Sequence, residues 1–211
     1  GAMWQGDTGK QFTGNFPRAA ALTQRVQSIA KTDTASTIQN YDVAYSDSSY
    51  CLAYEVPASG ANLATVRFSV RSKVSDAEIS GLQFVSTTDT YANPRVLALP
   101  TGFVFVYLRQ TGGVWGIYAQ RVDAAGSTVV GETLLINTLT AGTAYDAAMC
   151  SDGLRFSVVG IAANILSSQI TVNTLATALA HPVAAYATAP TSITAHCLVS
   201  AGVYTTMFLY G

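Results

Sequence analysis

The sequence predicts an all-β fold, a small β-propeller of about four four-stranded blades in which the two termini share one blade. Three observations support this prediction: an internal repeat of roughly 50 residues, four alternating apolar runs in each repeat, and half-repeats at the two chain ends. Helical patterning is thin by comparison. The best helical stretch starts at Pro17 and can equally be interpreted as a turn followed by a strand.

The repeat is clearest in four segments that each hold an apolar strand, a tight turn and a second apolar strand. The segments are YDVAYSDSSYCLAYEV from Tyr41, PRVLALPTGFVFVYLR from Pro94, YDAAMCSDGLRFSVVG from Tyr145 and TAHCLVSAGVYTTMFL from Thr194. The first residues after their turns are Tyr50, Phe103, Leu154 and Val203, so successive turns are 53, 51 and 49 residues apart. Such a period is typical of propeller blades and related β arrays.

Two further alternating runs follow in each repeat. The third predicted strands are residues 64–72, 116–123 and 168–175, and the fourth are residues 81–87, 132–138 and 181–188. Val, Ile, Thr, Tyr and Phe in alternation, bounded by Gly, Ser, Asp and Pro, indicate strands. Four antiparallel strands per unit is the composition of a propeller blade.

The two ends of the chain are predicted to complete one further unit. Residues 10–16 and the stretch from Pro17 match a third and a fourth strand, whereas the chain ends after a first and a second strand. A shared blade removes the exposed strand edges that an open array would leave. We therefore expect one propeller-like domain over residues 10–211, preceded by a tag remnant and linker at residues 1–9. A solenoid or sandwich of the same hairpins, completed by oligomerisation, is the alternative.

Composition excludes several classes of partner. Charged residues make up 11% of the chain, against roughly 25% in an average soluble domain. The 11 basic and 12 acidic residues form no basic patch of the kind that nucleic acid would require. No apolar run approaches the roughly 18 residues of a membrane span, so we expect no membrane insertion. Eleven Tyr and two Trp suggest contacts made by aromatic faces and hydroxyl groups.

The cysteines and histidines show no metal-ligand spacing. Cys51, Cys150 and Cys197 make an odd number and are expected to be small buried residues within strands. His181 and His196 fall in different predicted strands. We therefore expect neither a metal site nor a cofactor.

The second repeat is the most informative, because it carries a recognisable pattern of turns and glycines. It contains the stretches GFVFVYLRQTGG, GIYAQRVDAAG and GETLLIN. In these stretches it resembles a β-propeller-like repeat of bacterial surface adhesins and phage tail or fibre proteins. The matching residues are Pro94, Leu97, Gly102, Phe103, Tyr107, Gly116, Tyr118, Gln120, Arg121, Asp123, Gly126, Gly131, Glu132 and Asn137. The resemblance implies an extracellular or virion-borne adhesive protein and supplies no catalytic residues.

Five residues form the predicted ligand-binding set. Trp115 lies in the Gly-flanked segment TGGVWGIY, where an indole face could take a sugar ring or a cation, although it could instead begin a strand and pack between blades. Arg95 stands where two other repeats have aspartate, and a residue that the repeat does not need is a better candidate for function. Arg109 is expected to face the same loop region as Trp115. Tyr91 and Tyr118 complete the set.

The pairs Tyr41-Asp42 and Tyr145-Asp146 occupy equivalent positions at the starts of two repeats. A repeated carboxylate is expected to be structural and to accept a backbone N–H from a neighbouring loop. The alternative is that Asp42 and Asp146 converge as the acid/base pair of a propeller glycosidase. No hydrolase, nucleotide-binding or calcium-loop motif accompanies them, so we expect that the protein is not an enzyme.

These observations favour a non-catalytic recognition domain, the receptor- or glycan-binding tip of a fibre or surface adhesin. The expected partner is a cell-surface glycan or an envelope protein. A homo-oligomer, with a trimer favoured, would suit the low surface charge, and the expected location is a cell surface or a virion fibre. The alternatives are a structural or trimerisation cap of a fibre without its own ligand, and a propeller glycosidase.

Overall fold

The computed structural model describes residues 38–139, 145–150, 153–161, 165–182, 195–201 and 204–210. All the regular elements within these ranges are β-strands, and no helix occurs among them. The strands are β1 (Gln39–Tyr45), β2 (Ser49–Val56), β3 (Thr65–Ser72), β4 (Glu78–Phe84), β5 (Thr90–Leu99), β6 (Gly102–Thr111), β7 (Val114–Asp123), β8 (Thr128–Leu139), β9 (Tyr145–Met149), β10 (Arg155–Ile161), β11 (Ile165–Thr171), β12 (Thr177–Pro182), β13 (Ala195–Ala201) and β14 (Tyr204–Tyr210). The linker predicted at residues 1–9 and the strands predicted from residue 10 and from Pro17 lie outside the described residues.

The strands form three four-stranded sheets, in the orders β1-β2-β3-β4, β5-β6-β7-β8 and β12-β11-β10-β9, and one pair, β13-β14. Every pairing is antiparallel and joins strands that are consecutive in the chain. The all-β prediction and the predicted unit of four alternating strands are therefore confirmed.

The sheets pack through two hydrophobic clusters. One lies between the first and second sheets, where Phe68 stacks on Phe105 with ring centroids 4.1 Å apart. The other lies between the second and third sheets and includes Ile117, Phe156 and Ile170. Residues 102–108 of β6 are buried throughout, because alternate side chains of this strand enter the two clusters.

The first strands of successive sheets lie side by side. Strand β1 contacts β5, β5 contacts β9, and β9 contacts β13. Asp42 lies on β1, Arg95 on β5 and Asp146 on β9. The packing of these first strands therefore brings the three residues into one region of the molecule.

Some strand boundaries differ from the predictions. Strand β4 begins at Glu78, and β11 and β12 begin earlier than residues 168 and 181. The predicted third strand also ran to Leu175, whereas β11 ends at Thr171. Leu175 lies in the turn between β11 and β12, where it has a positive φ of 55° and donates its N–H to the Thr171 carbonyl at 2.9 Å. Because Leu175 is nevertheless buried in the core, its apolar side chain extended the strand pattern into the turn.

The turn between β7 and β8 packs against the first sheet. A Cβ atom placed on Gly126, whose φ is 81°, would lie 2.4 Å from the Cβ of Ser80 in β4. Asp123 shapes this turn because its Oδ1 accepts the N–H groups of Ala125 and Ser127, each at 2.9 Å. The ends of the sheets that carry the β3–β4 and β7–β8 turns therefore lie on the same side of the molecule.

Two of the cysteines lie among the described side chains. Cys51 and Cys150 are both buried, as expected for small residues within a β core. His181 lies in β12, and His196 and Cys197 lie in β13, but these three side chains are outside the described part of the structure.

Candidate functional site

Three of the five predicted ligand-binding residues meet at one place, where β5 begins, β6 ends and β7 and β8 pass beside them. We call this group the Arg109 cluster. Its members are Asp89, Tyr91, Tyr107, Arg109, Tyr118 and Glu132. Asp89, Tyr107 and Glu132 were not in the predicted set, although Tyr107 and Glu132 belong to the motif of the second repeat.

Arg109 is the centre of the cluster. Its Nε and Nη2 both donate to Oδ2 of Asp89, at 3.0 and 2.7 Å, and its Nη1 donates to Oε2 of Glu132 at 2.5 Å. The guanidinium carbon lies 5.8 Å from the ring centroid of Tyr91 and 5.3 Å from that of Tyr118. Both distances are within the range of cation–π attraction. One arginine is thus held by two carboxylates and two aromatic rings.

Tyr107 supports the cluster from the hydrophobic core. It is fully buried, and its hydroxyl donates to Oε1 of Glu132 at 2.6 Å. Its ring stacks nearly parallel to Tyr118, with centroids 6.5 Å apart, and lies 4.5 Å from Phe84 of the first sheet. The pKa of Tyr107 is raised far above its usual value, mainly by burial and secondly by the hydrogen bond to Glu132. The hydroxyl therefore remains a donor at every physiological pH.

The cluster holds one guanidinium and two carboxylates in direct contact. The hydrogen bond from Arg109 lowers the pKa of Asp89. Burial acts to lower the pKa of Arg109, but the bond to Asp89 and the charge of Glu132 outweigh it, so this pKa is raised. The side chains of Arg109 and Glu132 are 25% and 28% exposed, whereas that of Asp89 is 9% exposed. The accessible surface of the cluster is therefore polar and aromatic.

Trp115 lies on the other face of the second sheet. It is half-buried and packs against the cluster between the second and third sheets. Tyr118, three residues further along β7, packs against the cluster between the first and second sheets, because successive strand residues point to opposite faces. The structure thus separates Trp115 from Arg109 and gives it the packing position that the sequence left open as an alternative.

Arg95 lies among the first strands rather than in the Arg109 cluster. Its Nε is 3.7 Å from Oδ1 of Asp146 in β9. Asp42 of β1 accepts the N–H of Val96 in β5 at 3.0 Å and that of Val43 at 2.8 Å. Burial raises the pKa of Asp42, against the opposing effect of these two N–H groups and of Arg95. Asp42 therefore joins two sheets by accepting a backbone N–H from strand β5, whereas a neighbouring loop was expected to supply that N–H.

Glu55 is a buried acid that the sequence reasoning missed. It is 4% exposed and accepts from Gln39 Nε2 at 2.6 Å, Asn40 Nδ2 at 2.9 Å and the N–H of Asn93 at 2.8 Å. Asn40 and Asn93 both have positive φ angles, at bulges in β1 and β5. The signal for this role is a single glutamate within the apolar run CLAYEV.

Among the described residues, no group of three or more His, Cys, Asp or Glu side chains could hold a metal ion. In the same part of the chain, no helix has the length and apolarity needed to cross a membrane.

Comparison with known proteins assigns no family. No family model matches the sequence, and no curated protein matches it. Among solved structures, one described as the crystal structure of the eukaryotic initiation factor aligns with a TM-score of 0.39 and 15% identity. The alignment covers 69% of this chain and 32% of that chain. A similarity at this level assigns neither fold nor function.

Proposed function

We propose that this chain is a non-catalytic recognition domain that binds a cell-surface glycan, as the tip of an extracellular fibre or surface adhesin. One observation carries the proposal. The Arg109 guanidinium is held at a partly exposed position between the rings of Tyr91 and Tyr118 by Asp89 and Glu132.

The cluster is ordered by contacts within the chain. Arg109 is held on two sides by carboxylates, and Glu132 is in turn held by the hydroxyl of the buried Tyr107. Side chains that are already fixed lose little conformational entropy on binding, so more of the contact energy contributes to affinity. Placement on strands rather than on long loops has the same effect.

The chemistry of the cluster suits a neutral, hydroxyl-rich ligand. The charge of Arg109 is already offset by two carboxylates, so an anionic ligand would gain little from it. The partly exposed Tyr118 ring offers apolar surface beside the Arg109 guanidinium, while Glu132 and Arg109 offer acceptors and donors next to it. A pyranose ring presents the same combination of an apolar C–H face and hydroxyl groups at its rim.

The same contacts favour binding over hydrolysis. A glycosidase acid has a raised pKa and faces a second carboxyl group across the scissile bond. The pKa of Asp89 is lowered, and Glu132 is engaged by both Tyr107 and Arg109. Asp42 has a raised pKa, but both of its oxygens accept backbone N–H groups. None of these acids is arranged as a free proton donor.

For the whole fold, we propose a four-bladed propeller in which the three four-stranded sheets are complete blades. Two features support this. The first strands of the sheets and of the β13-β14 pair follow one another in space, as the inner strands of propeller blades do. The β13-β14 pair has two of the four strands of a blade, and residues 10–37 carry the patterns of the other two.

The alternative function is a structural or trimerisation cap. It is favoured by one observation: each of the three Arg109 side-chain nitrogen atoms donates to a carboxylate within the chain, as in a purely structural ion pair. Apolar side chains on the outer strands, at Ile79 and Val129, are 47% and 50% exposed and would suit contacts between subunits.

A glycan array with the purified domain tests the proposal, with the mass in solution recorded on the same sample. We expect dose-dependent binding to one class of neutral glycan. Tyr118→Ala should weaken this binding about tenfold, which corresponds to one lost contact of about 1.4 kcal/mol. Tyr41→Ala removes another exposed tyrosine, 49% exposed on β1, and should leave the binding unchanged.

A folded domain that binds no glycan would contradict the proposal and direct attention to a protein receptor or a structural cap. Glycan binding that survives Tyr118→Ala would place the site away from the Arg109 cluster. Multivalent display should raise the overall avidity when the affinity of each site is weak. The array is therefore probed with both monomeric and clustered protein.

A further inference from the structure

An exposed pair of tyrosines lies at the opposite end of the sheets from the Arg109 cluster. Tyr45, the last residue of β1, pairs across the turn with Tyr50 of β2, and their ring centroids are 5.6 Å apart at an interplanar angle of 29°. Tyr45 is 47% exposed, whereas Tyr50 is 4% exposed. One ring thus faces solvent and rests on a second ring that is buried. We call this pair the Tyr45 platform.

The platform is anchored by the turn between β3 and β4. The Tyr50 hydroxyl donates to Oδ1 of Asp76. Asp76 has a positive φ of 61°, donates its N–H to the Ser72 carbonyl at 3.0 Å and accepts Arg71 Nη2 on its own carbonyl at 2.5 Å. These bonds hold the Tyr50 ring in place before any ligand binds. The Tyr50 ring in turn supports the face of Tyr45 that stacks on it.

The ammonium group of Lys73 lies close to the exposed Tyr45 ring. Lys73 Nζ lies 5.9 Å from the Tyr45 ring centroid and donates to the carbonyl of Asp47 at 3.2 Å. Within the described part of the chain, no carboxylate forms an ion pair with Lys73. An ammonium group has three donors, so donors remain for an anionic ligand.

The repeat itself does not need these residues. At the same cross-strand register, the second sheet has Ala98 paired with Phe103. Its β7–β8 turn, from Asp123 to Ser127, contains no lysine. The first sheet therefore carries an exposed aromatic ring and a lysine that the second sheet lacks at the equivalent positions.

The location is separate from the Arg109 cluster. The β1–β2 and β3–β4 turns lie at one end of the first sheet, and the contact of Gly126 with Ser80 places the β7–β8 turn at that same end. Arg109 lies beside the β6–β7 turn, at the other end of the second sheet. A ligand on the platform would not compete with one at the cluster.

From these contacts we propose that the Tyr45 platform is a second saccharide site, specific for a hexuronic acid unit. The pyranose ring lies against the exposed Tyr45 ring, and the sugar carboxylate pairs with Lys73. This site goes beyond the function proposed for the Arg109 cluster, because it takes an acidic rather than a neutral sugar and does not depend on that cluster.

The test uses two acidic probes, tetragalacturonate and a hyaluronan tetrasaccharide, with fully methyl-esterified tetragalacturonate as a probe of the same rings without the charge. Binding is measured by calorimetry or by NMR shift perturbation on the whole chain. We expect the acid to bind at least about tenfold more tightly than its ester, equivalent to about 1.4 kcal/mol. Added salt should weaken binding of the acid, because it screens exposed charges.

Variants separate the two halves of the site. Tyr45→Ala should lose at least about nine-tenths of the affinity for both forms of the sugar, on the same tenfold scale. Lys73→Gln should abolish the preference for the acid. Tyr41→Ala, on the same strand, and Tyr118→Ala, in the Arg109 cluster, should bind the acid as the parent chain does. Thermal melts of each variant confirm that it is folded.

Three results would overturn the proposal: no binding of either acidic probe, equal binding of the acid and its ester, or acid binding that survives Tyr45→Ala. Loss of acid binding in Tyr118→Ala alone would assign the acidic sugar to the Arg109 cluster instead. Failure of the neutral glycan array has no bearing on this outcome, so the two proposals can fail separately.

Discussion

The contact between the β7–β8 turn and the first sheet can be tested with a single methyl group. In Gly126→Ala, the new Cβ would lie 2.4 Å from the Cβ of Ser80 and 3.4 Å from Cγ2 of Val70. The Ser80 Cβ is bonded directly to the backbone, so strand β4 or the turn must shift. Gly113 is the matched control, because its φ of 83° is close to the 81° of Gly126 and a Cβ atom placed on it would have nothing within 4 Å among the described residues.

The magnitudes follow from two separate terms. An L-residue in the left-handed region costs roughly 1–2 kcal/mol, and this term is common to Gly113→Ala and Gly126→Ala. Overpacking adds typically about 1–3 kcal/mol, and this term applies to Gly126→Ala alone. We therefore expect the free energy of unfolding to fall by about 1–2 kcal/mol in Gly113→Ala and by about 2–5 kcal/mol in Gly126→Ala.

Urea unfolding followed by tryptophan fluorescence measures this difference, with the slope m compared to confirm that the same transition is observed. Thermal melts should show the same order, at roughly 2–4 °C per kcal/mol for a chain of this size. Equal destabilisation by the two substitutions would refute the reasoning, because it would mean that the turn at Gly126 does not pack against β4.

Two further predictions concern buried polar groups. The Tyr145 hydroxyl lies between the carbonyl oxygens of Asn93 and Val106, so Tyr145→Phe should lower the free energy of unfolding by about 1–3 kcal/mol, the usual cost of an unsatisfied buried polar group. The equivalent Tyr41 is 49% exposed, so Tyr41→Phe should change stability by less than about 0.5 kcal/mol in the same urea titration, and equal effects would contradict the assigned contacts. The folded-state pKa of Asp89 is lowered by Arg109; its contribution to stability is therefore complete above the unfolded pKa of about 3.9 and is lost as the pH falls through the folded pKa. Asp89→Asn should flatten the dependence of Tm on pH below about pH 4, and an unchanged profile would show that Asp89 does not titrate as a partner of Arg109.

Much of the local structure could be predicted from the sequence, because strand patterns are local. Alternation across neighbouring residues predicted the hairpin of β5 and β6 and the position of β7 with small errors in their bounds. The wrong strand prediction at Leu175 also has a physical cause. An apolar residue that packs into the core from a turn has the same composition signal as one in a strand, so only its positive φ distinguishes them.

The candidate site was predicted only in part, because it depends on contacts between distant residues. Tyr91, Arg109 and Tyr118 were identified as aromatic and basic residues near turns. The partners Asp89 and Glu132 lie 20 and 23 residues from Arg109 in the chain. Neither has a local pattern that marks it as an ion-pair partner.

The sequence by itself determined the all-β class, the four-strand unit and the alternation of faces along each strand, since these follow from the period of two of an extended chain. Only the tertiary structure decided which neighbouring sheet each face meets. That choice put Trp115 in the packing between the second and third sheets and Tyr118 beside Arg109. It also set Tyr45 and Lys73 together at the far end of the first sheet. Packing of sheets and pairing of charges are long-range interactions, so they depend on how the repeats stack rather than on the residues within one repeat.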